Sequence, residues 1–257
     1  MRRLATALAF WVIACSAGPA AAERLVVSLS NHRVAVTSNF VGEELVLFGT
    51  IEPDPAGQLR PPYDLVVTVT GPQQTMRTRR KQRMLGIWVN VDSREFVSVP
   101  SYLAVLSNRP VAEIADQETL RKLQIGLNYF LLPQRIGPDV ADTVTDDPFR
   151  RAFVRLQRQQ GLYRESSTAV TFLTPTVFRT AIAMPAAVPT GTYAIEVELF
   201  SQGKLVARTN SALEVIKAGF EQYVADAARD YGLLYGMATA LMALLIGWFA
   251  SVVFRRD

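Results

Sequence analysis

P-T-G-T-Y-A-I-E-V-E-L-F, residues 189–200, is the stretch on which the fold assignment rests. From Thr192 onward apolar and polar side chains alternate, and this period of two is typical of a strand with one buried face. Gln202-Gly203 follows, a dipeptide suited to a tight hairpin turn, and a second strand-like segment runs from Lys204 to Ile216. These residues predict an antiparallel strand pair near the end of a β domain.

The corner before this strand narrows the fold class. In residues 189–193, Tyr193 stands where immunoglobulin-like sandwiches carry a tyrosine whose hydroxyl bonds back to the backbone. We therefore predict a mainly β chain with one immunoglobulin-like sandwich over 23–217, its first strands from 23–106 and its last from 166–217. Two separate small β domains are the alternative. Further strand-like segments, one with Trp88 as an expected core residue, are 25–29, 34–37, 44–51, 63–70, 86–91, 170–173 and 176–183.

A helical insertion is predicted at about residues 107–165. Residues 110–128 have helical composition, with Asp116 as an internal cap. After a polar loop at 137–147, Asp147-Pro148 begins a helix to Gln160, because aspartate favours the N-cap, proline the first turn and the following glycine the end. One face of this helix is expected to present Phe149, Phe153, Leu156 and Gln160, and a solvated face Arg151, Arg155 and Arg158.

A long stretch near the end, residues 231–254, contains no charged residue and no histidine. At about 1.5 Å per residue its roughly 24 positions span the hydrocarbon core of a bilayer, which is about 30 Å thick. We predict a C-terminal transmembrane helix, with an amphipathic juxtamembrane segment at 218–230 and a cytoplasmic tail at 255–257. Two arginines in that tail favour an orientation with the amino end outside.

The first 22 residues predict a secretory signal peptide, with Arg2 and Arg3 before an apolar run and small residues before Glu23. The alternative is a lipobox that ends at Cys15, the one cysteine of the chain. That route would leave Cys15 as a lipidated first residue, whereas signal cleavage would remove it. Both routes predict a single-pass protein of the bacterial inner membrane with the bulk of the chain in the periplasm.

The charge of the exported part excludes one class of function. The formal net charge is +4, of which the signal peptide carries +2 and the tail +1, so +1 is left for the domain. A nucleic-acid-binding role is therefore not expected. No hydrolase, zinc or phosphate-binding motif is present, and we expect no enzyme, cofactor or metal. His32, the one histidine, is expected in a turn, and a solvated loop without EF-hand spacing is expected to contain Asp139, Asp142, Asp146 and Asp147.

A run of cations lies at residues 75–83. In a strand, one face would carry Arg77, Arg79, Lys81 and Arg83, because side chains alternate with period two. One interpretation is edge-strand protection, since positive charges discourage sheet-to-sheet pairing. The other is contact with an oxyanion or a lipid headgroup, for which arginine offers a bidentate geometry.

The transmembrane stretch carries a stripe of small residues at intervals of three and four. Such intervals place residues on one side of a helix, and small residues there let a second transmembrane helix approach closely. The stripe predicts a helix-packing surface. We define the small-residue stripe as Gly232, Gly236, Ala240, Ala243 and Gly247.

Several stretches together resemble an uncharacterised alphaproteobacterial family of single-span transmembrane proteins with a periplasmic domain. The resemblance implies no catalytic residues, but it implies a partner, because members are associated with sulfite-exporter permeases of the TauE/SafE type. It covers nearly the whole mature chain. The stretches that carry it are Phe48-Gly49, Val69-Thr70-Gly71-Pro72, Gly86-Ile87-Trp88-Val89-Asn90, Val99-Pro100-Ser101-Tyr102, Gly161-Leu162-Tyr163 and Val188-Pro189-Thr190-Gly191-Thr192-Tyr193.

We therefore expect a non-enzymatic accessory subunit of a polytopic permease for a sulfite or organosulfur-type anion. The small-residue stripe would dock on the permease, and the β domain would lie over its outer mouth. The alternative is a periplasmic protein-interaction or chaperone-like module that acts through exposed sheet edges.

Overall fold

The computed structural model describes residues 23–53, 61–136, 139–143, 146–219, 224 and 227–253. The predicted signal peptide, Cys15 and the cytoplasmic tail lie outside these residues, as does about half of the predicted juxtamembrane segment. The elements given below are those of the described residues.

Strands account for about 51 % of the chain, which confirms the prediction of a mainly β fold. The helices are α1 (Val111–Ile114), α2 (Gln117–Leu123), α3 (Pro148–Gln159) and α4 (Gly232–Val253). The strands are β1 (Arg24–Leu29), β2 (Arg33–Val36), β3 (Gly42–Glu52), β4 (Tyr63–Thr70), β5 (Gln73–Met84), β6 (Ile87–Pro100), β7 (Leu103–Ser107), β8 (Pro133–Ile136), β9 (Asp139–Asp142), β10 (Tyr163–Ser166), β11 (Val170–Phe172), β12 (Val177–Pro185), β13 (Gly191–Ser201) and β14 (Lys204–Lys217).

Hydrogen bonds arrange the described strands in three sheets. The first has the order β1-β3-β12-β11, the second β10-β7-β4-β13-β14-β2, and the third β5-β6-β8-β9. Most neighbours are antiparallel, but β10 runs parallel to β7 and β2 runs parallel to β14. Early and late strands pair directly, β3 with β12 in the first sheet and β4 with β13 in the second, so both ends of the domain contribute to these two sheets. The immunoglobulin-like designation stays a prediction.

The first two sheets bury a common hydrophobic core. Leu47 and Phe178 of the first sheet belong to the same buried cluster as Ile195 of the second. The packing around Phe178 is close: a Cβ at Gly49 would lie only 2.2 Å from the Cζ atom of Phe178. A glycine is therefore required at this point of β3 by space alone.

Buried tyrosines tie the core to the backbone. The Tyr193 hydroxyl donates to the carbonyl oxygen of Pro189 at 2.5 Å, which is the bond that the corner sequence predicts. The Tyr102 hydroxyl donates to Ala183 at 2.7 Å, and its ring lies 5.7 Å from that of Tyr193. A Cβ at Gly71 would lie 2.9 Å from the Cβ atom of Tyr102 and 2.9 Å from the Cε1 atom of Tyr193. A glycine at this position therefore leaves room for the two tyrosines.

The segment at 107–165 contains strands as well as helices. The sequence predicted helix and a polar loop there, but β8 and β9 form a hairpin that adds to β6 in the third sheet. Each of these strands has four residues, too few for a period of two to stand out. The internal cap is as predicted, since the Asp116 side chain accepts from the backbone N–H groups of Glu118 and Thr119.

Helix α3 begins as predicted, but its buried face differs. The Asp147 side chain accepts from the N–H groups of Phe149 and Arg150, and Pro148 occupies the first turn. Leu156, expected on the buried face, is 44 % exposed, whereas Arg150 is 4 % exposed. The reason is a specific site for the guanidinium, which donates to the carbonyl oxygen of Phe130 at 2.6 Å and lies 4.8 Å from its ring.

Helix α4 fills the predicted transmembrane stretch. With 22 residues it is long and apolar enough to cross a membrane, and its most apolar part is not buried by the rest of the described chain. An apolar helix with no protein cover has its surface available to lipid or to another helix.

Candidate interaction surfaces

The long hairpin β5–β6 is anchored at its base. Phe96 of β6 is fully buried and lies 5.2 Å, ring to ring, from Phe153 of α3. The Gln157 side chain of α3 donates to the sulfur of Met76 on β5 at 3.0 Å. Helix α3 therefore holds the proximal half of the hairpin against the core.

Its distal half stands clear of the core. Every side chain from residue 79 to residue 91 is exposed, on both faces of the two strands, and Asp92 is half-buried. We call residues 79–92 the arm. At about 3.3 Å per residue, the six arm residues of β5 correspond to a projection of roughly 20 Å.

The structure distributes the predicted cationic face unevenly. Arg77 lies at the base, where its guanidinium donates to the Glu95 carboxylate at 2.6 Å, and Arg135 of β8 lies 3.5 Å from the same carboxylate. The hydrogen bond from Arg77, with the charge of Arg135, lowers the pKa of Glu95. Arg79, Lys81 and Arg83 lie instead on the arm and are exposed.

The tip of the arm is apolar, which the sequence did not predict. Trp88, expected in the core, is 68 % exposed, and Leu85 is fully exposed. Met84 pairs with Ile87 and Arg83 with Trp88, so one face near the tip is aliphatic and the other combines an indole with a cation. Leu85-Gly86 forms the turn, with φ of 49° and 86°.

The small-residue stripe is exposed along its whole length on α4. Apart from the neighbouring backbone of α4, a Cβ at Gly232, Gly236 or Gly247 would meet no atom of the described residues within 4 Å. Within the part of the chain that the structure describes, these glycines therefore have no packing reason to be small.

A cleft of about 550 Å³ opens on the outer face of the second sheet. Beside it, the Glu198 side chain is 1 % exposed, and the Arg208 Nε atom lies 3.5 Å from one of its oxygens. Burial, opposed by Arg208 and aided by the nearby charge of Glu196, raises the pKa of Glu198 to about 7. The residues that line the cleft include Thr68, Thr70, Lys122, Leu131, Glu196 and Arg208.

The burial of Glu198 could not be recognised from the sequence. The strand pattern places it on the face opposite the core, where a glutamate is ordinarily solvated. Helices α1 and α2 cover that face, and Ile114 and Leu120 form a second hydrophobic cluster there with Phe200 of β13. A second covering layer is a property of the tertiary fold rather than of the strand.

The remaining candidates lie apart from one another. His32 is exposed in the turn between β1 and β2, where its carbonyl oxygen accepts from the N–H group of Glu214. Asp147 caps α3, Asp146 lies 3.4 Å from Arg151, and the Asp142 carboxylate accepts from two backbone N–H groups. The described residues contain no group of three or more His, Cys, Asp or Glu side chains that could hold a metal ion.

Comparisons with known proteins identify the family of the chain. Residues 24–256 match the model of a family described as "Putative transmembrane protein (Alph_Pro_TM)". A search of curated proteins found no match. Among solved structures, the N-terminal domain of the Streptococcus gordonii adhesin Sgo0707 matches with a TM-score of 0.28 and 8 % identity, over 75 % of this chain and 32 % of that chain. That likeness is too weak to indicate a shared fold, and this chain spans about a third of the protein it matches.

Proposed function

We propose a function for this chain that starts from its family: the chain belongs to the Alph_Pro_TM family of transmembrane proteins. In our proposal it is a non-enzymatic accessory subunit of a polytopic permease. In this proposal α4 spans the bacterial inner membrane, and the β domain lies on the periplasmic side. The cargo would be a sulfite or organosulfur-type anion. That cargo class is supported only by the family resemblance.

The observation that carries the proposal is the small-residue stripe on a helix that the described residues of the domain do not cover. In a helix interior each glycine is less favourable than alanine by about 1 kcal/mol in water, so the two interior glycines, Gly236 and Gly247, are expected to have a compensating contact. Apart from the neighbouring backbone of α4 itself, no atom of the described chain lies within 4 Å of a Cβ built at these glycines. A second transmembrane helix that packs closely on the stripe would supply that contact.

The test is an affinity pull-down of the full chain from mild-detergent membranes. The stripe variant is Gly236→Leu with Ala243→Leu, which fills the proposed contact with two bulky side chains. The matched control is Ala238→Leu with Met242→Leu. At about 100° per residue Ala238 lies roughly 200° around α4 from Gly236, on the opposite side of the helix.

We expect a polytopic permease to copurify with the wild type and the control and to be reduced at least about tenfold with the stripe variant, which corresponds to a loss of about 1.4 kcal/mol. Equal recovery of the same partners by all three proteins would overturn the proposal. Absence of a membrane partner from all three would do the same. In either case α4 would be a tether, and the function would belong to the domain.

A second function, a periplasmic interaction module that acts through sheet edges, is favoured by one observation. β5 is one of the two edge strands of the third sheet and pairs only with β6 among the described strands. An unpaired edge can accept an extended segment of another protein. A proline in the middle of β5, such as Thr78→Pro, would abolish such capture without changing recovery of a partner bound through α4.

A further inference from the structure

We propose that the arm docks on the anionic lipid surface of the membrane that holds α4. In the docked state Met84, Leu85, Ile87 and Trp88 occupy the interface between headgroups and acyl chains. Arg79, Lys81 and Arg83 then lie at the level of the lipid phosphates. This assigns a membrane-binding site to the domain itself, in addition to the transmembrane anchor.

The arm is a two-stranded ribbon that no layer of the described domain covers. A two-stranded ribbon without a covering layer is at best marginally stable in water. Here both faces of the ribbon are exposed for all residues from 79 to 91. Its order is expected to depend on a surface that covers at least one face.

The turn gives a second argument. Leu85 has φ of 49°, and Gly86 has φ of 86°. Two-residue turns with positive φ at both positions favour Asn-Gly, because a branched apolar side chain pays about 1 kcal/mol in this region. A fully exposed leucine at this position stabilises neither the turn nor the contact with water. It is the residue expected if the tip enters an apolar medium.

The charge of the arm matches an anionic surface. Residues 79–92 contain four cations and one acid, Asp92, for a net charge of +3. Asp92 lies 3.8 Å from Arg80, and within the described residues Arg79, Lys81 and Arg83 form no ion pair. Basic residues next to tryptophan and aliphatic side chains are the composition of segments that lie in the membrane interface.

The shape and the tether favour a bilayer over a protein partner. The tip is convex, and a fluid surface accommodates a convex wedge without a preformed groove. Residues 218–231, between the end of β14 and the start of α4, are 14 in number. Even fully extended they reach at most about 50 Å. The anchor therefore keeps the lipid surface at high effective concentration around the domain.

The experiment uses the fluorescence of Trp88 in the full chain. The chain has three tryptophans, and replacement of Trp11 and Trp248 by phenylalanine leaves Trp88 as the reporter. This protein is reconstituted alone in vesicles of phosphatidylethanolamine with one quarter phosphatidylglycerol, or in pure phosphatidylcholine, with and without brominated acyl chains. We expect emission at shorter wavelength and quenching by bromine in the anionic vesicles.

Three variants in the same background sharpen the test. Arg79→Gln with Lys81→Gln and Arg83→Gln should shift the arm toward its free state by about fivefold per cation removed. Arg121→Gln with Arg155→Gln and Arg158→Gln removes three exposed cations from the body of the domain and should leave quenching unchanged. Leu85→Asn suits the turn better than leucine, so it should fold normally and still reduce quenching.

Several results would overturn the proposal. If bromine does not quench Trp88 in anionic vesicles, Trp88 lies in water and the arm is not docked. Equal quenching of the wild type and the arm-cation variant would exclude a role for the headgroup charge. A blue shift without quenching that grows with the protein-to-lipid ratio would identify a second copy of the chain as the occupant. Shielding of Trp88 in native membranes but not in pure lipid would identify another protein.

This inference does not depend on the permease. The vesicles contain only this chain and lipid, so failure of the pull-down leaves the quenching result unchanged. Conversely, a free arm in vesicles leaves the stripe test of α4 intact.

Discussion

Tyr193 and Trp88 are aromatic residues in apolar strand patterns, yet one is fully buried and the other is 68 % exposed. Tyr193 lies on β13, between β4 and β14 and beneath the first sheet, and its hydroxyl bonds to Pro189. Trp88 lies on β6 beyond the point where β8 pairs with that strand. The difference shows that a strand pattern predicts which side chains share a face, while neighbouring layers decide whether that face is buried.

The two regions should therefore respond differently to the same kind of change. Around Tyr193, each side chain is held by packing and by hydrogen bonds to the backbone, and its loss is felt by the whole fold. On the arm, no described residue covers the side chains from 79 to 91, so their loss should affect only the binding of whatever covers the arm. The predictions below test that contrast.

Phe153→Ala should produce the largest loss of stability. Phe153 is 4 % exposed and lies 5.2 Å from the Phe96 ring and 5.8 Å from the Tyr163 ring. Removal of such a ring costs about 3–5 kcal/mol. Thermal unfolding of the full chain in detergent measures it, with Trp88→Ala as the matched aromatic control, for which we expect a change within about 0.5 kcal/mol. Equal losses for both variants would mean that the arm is packed like the core.

The sequence was sufficient for the elements with strong local signals. β4 coincides with the predicted residues 63–70, and the caps of α2 and α3 are the aspartates predicted for them. The Gln202-Gly203 turn between β13 and β14 is also present, with positive φ at both residues. In each case the information lies within a few neighbouring residues, in turn chemistry or side-chain period.

Burial that depends on distant segments could not be predicted in this way. Arg150 is buried because Phe130, twenty residues earlier, accepts its hydrogen bond. Glu198 is buried because α1 and α2 return over the outer face of the second sheet. Trp88 is exposed because β8 is only four residues long and ends before reaching it. The stripe and the cationic run were found from sequence, but their roles stay predictions.

Glu198 should make the stability of the folded domain depend on pH. Burial raises the pKa of Glu198 from its usual value of 4.5 to about 7 in the folded chain. The folded state therefore holds a proton that the unfolded state releases, so stability is full below about pH 4.5 and falls as pH rises to about 7. The size should be on the order of 2–3 kcal/mol.

The free energy of unfolding at pH 5 and at pH 8 measures this pH dependence. Glu198→Gln should remove most of the dependence, and at pH 8 the variant should be more stable than the wild type. Arg208, 2.7 Å from Glu196 and 3.5 Å from Glu198, stays paired with Glu196 in this variant. A slope unchanged by the substitution would place the titrating group elsewhere.

Tyr193→Phe should cost about 1–2 kcal/mol, because it leaves the partly buried carbonyl of Pro189 without its donor while the ring stays in place. Burial raises the pKa of Tyr193, so its hydroxyl is a donor across the accessible pH range. Denaturant unfolding measures the loss. Tyr231→Phe, at a tyrosine that is 66 % exposed, is the control and should show no change. An equal, negligible effect at both tyrosines would mean that ring packing alone holds the corner.

Leu85→Asn should give the smallest effect and one of opposite sign. Asparagine tolerates the left-handed backbone of Leu85, so relief of the turn should stabilise the hairpin by a few tenths of a kcal/mol, up to about 1 kcal/mol. Hydrogen exchange of the β5 and β6 amides near the tip measures it in detergent, where no lipid surface competes. The same substitution should slow exchange there and weaken docking on anionic vesicles. Because a core residue could not gain local stability while losing a contact, this opposite pair of changes is what separates the arm from the core. Faster exchange after the substitution would mean that Leu85 packs within the arm itself, and the tip would then belong with the core in the contrast between Tyr193 and Trp88.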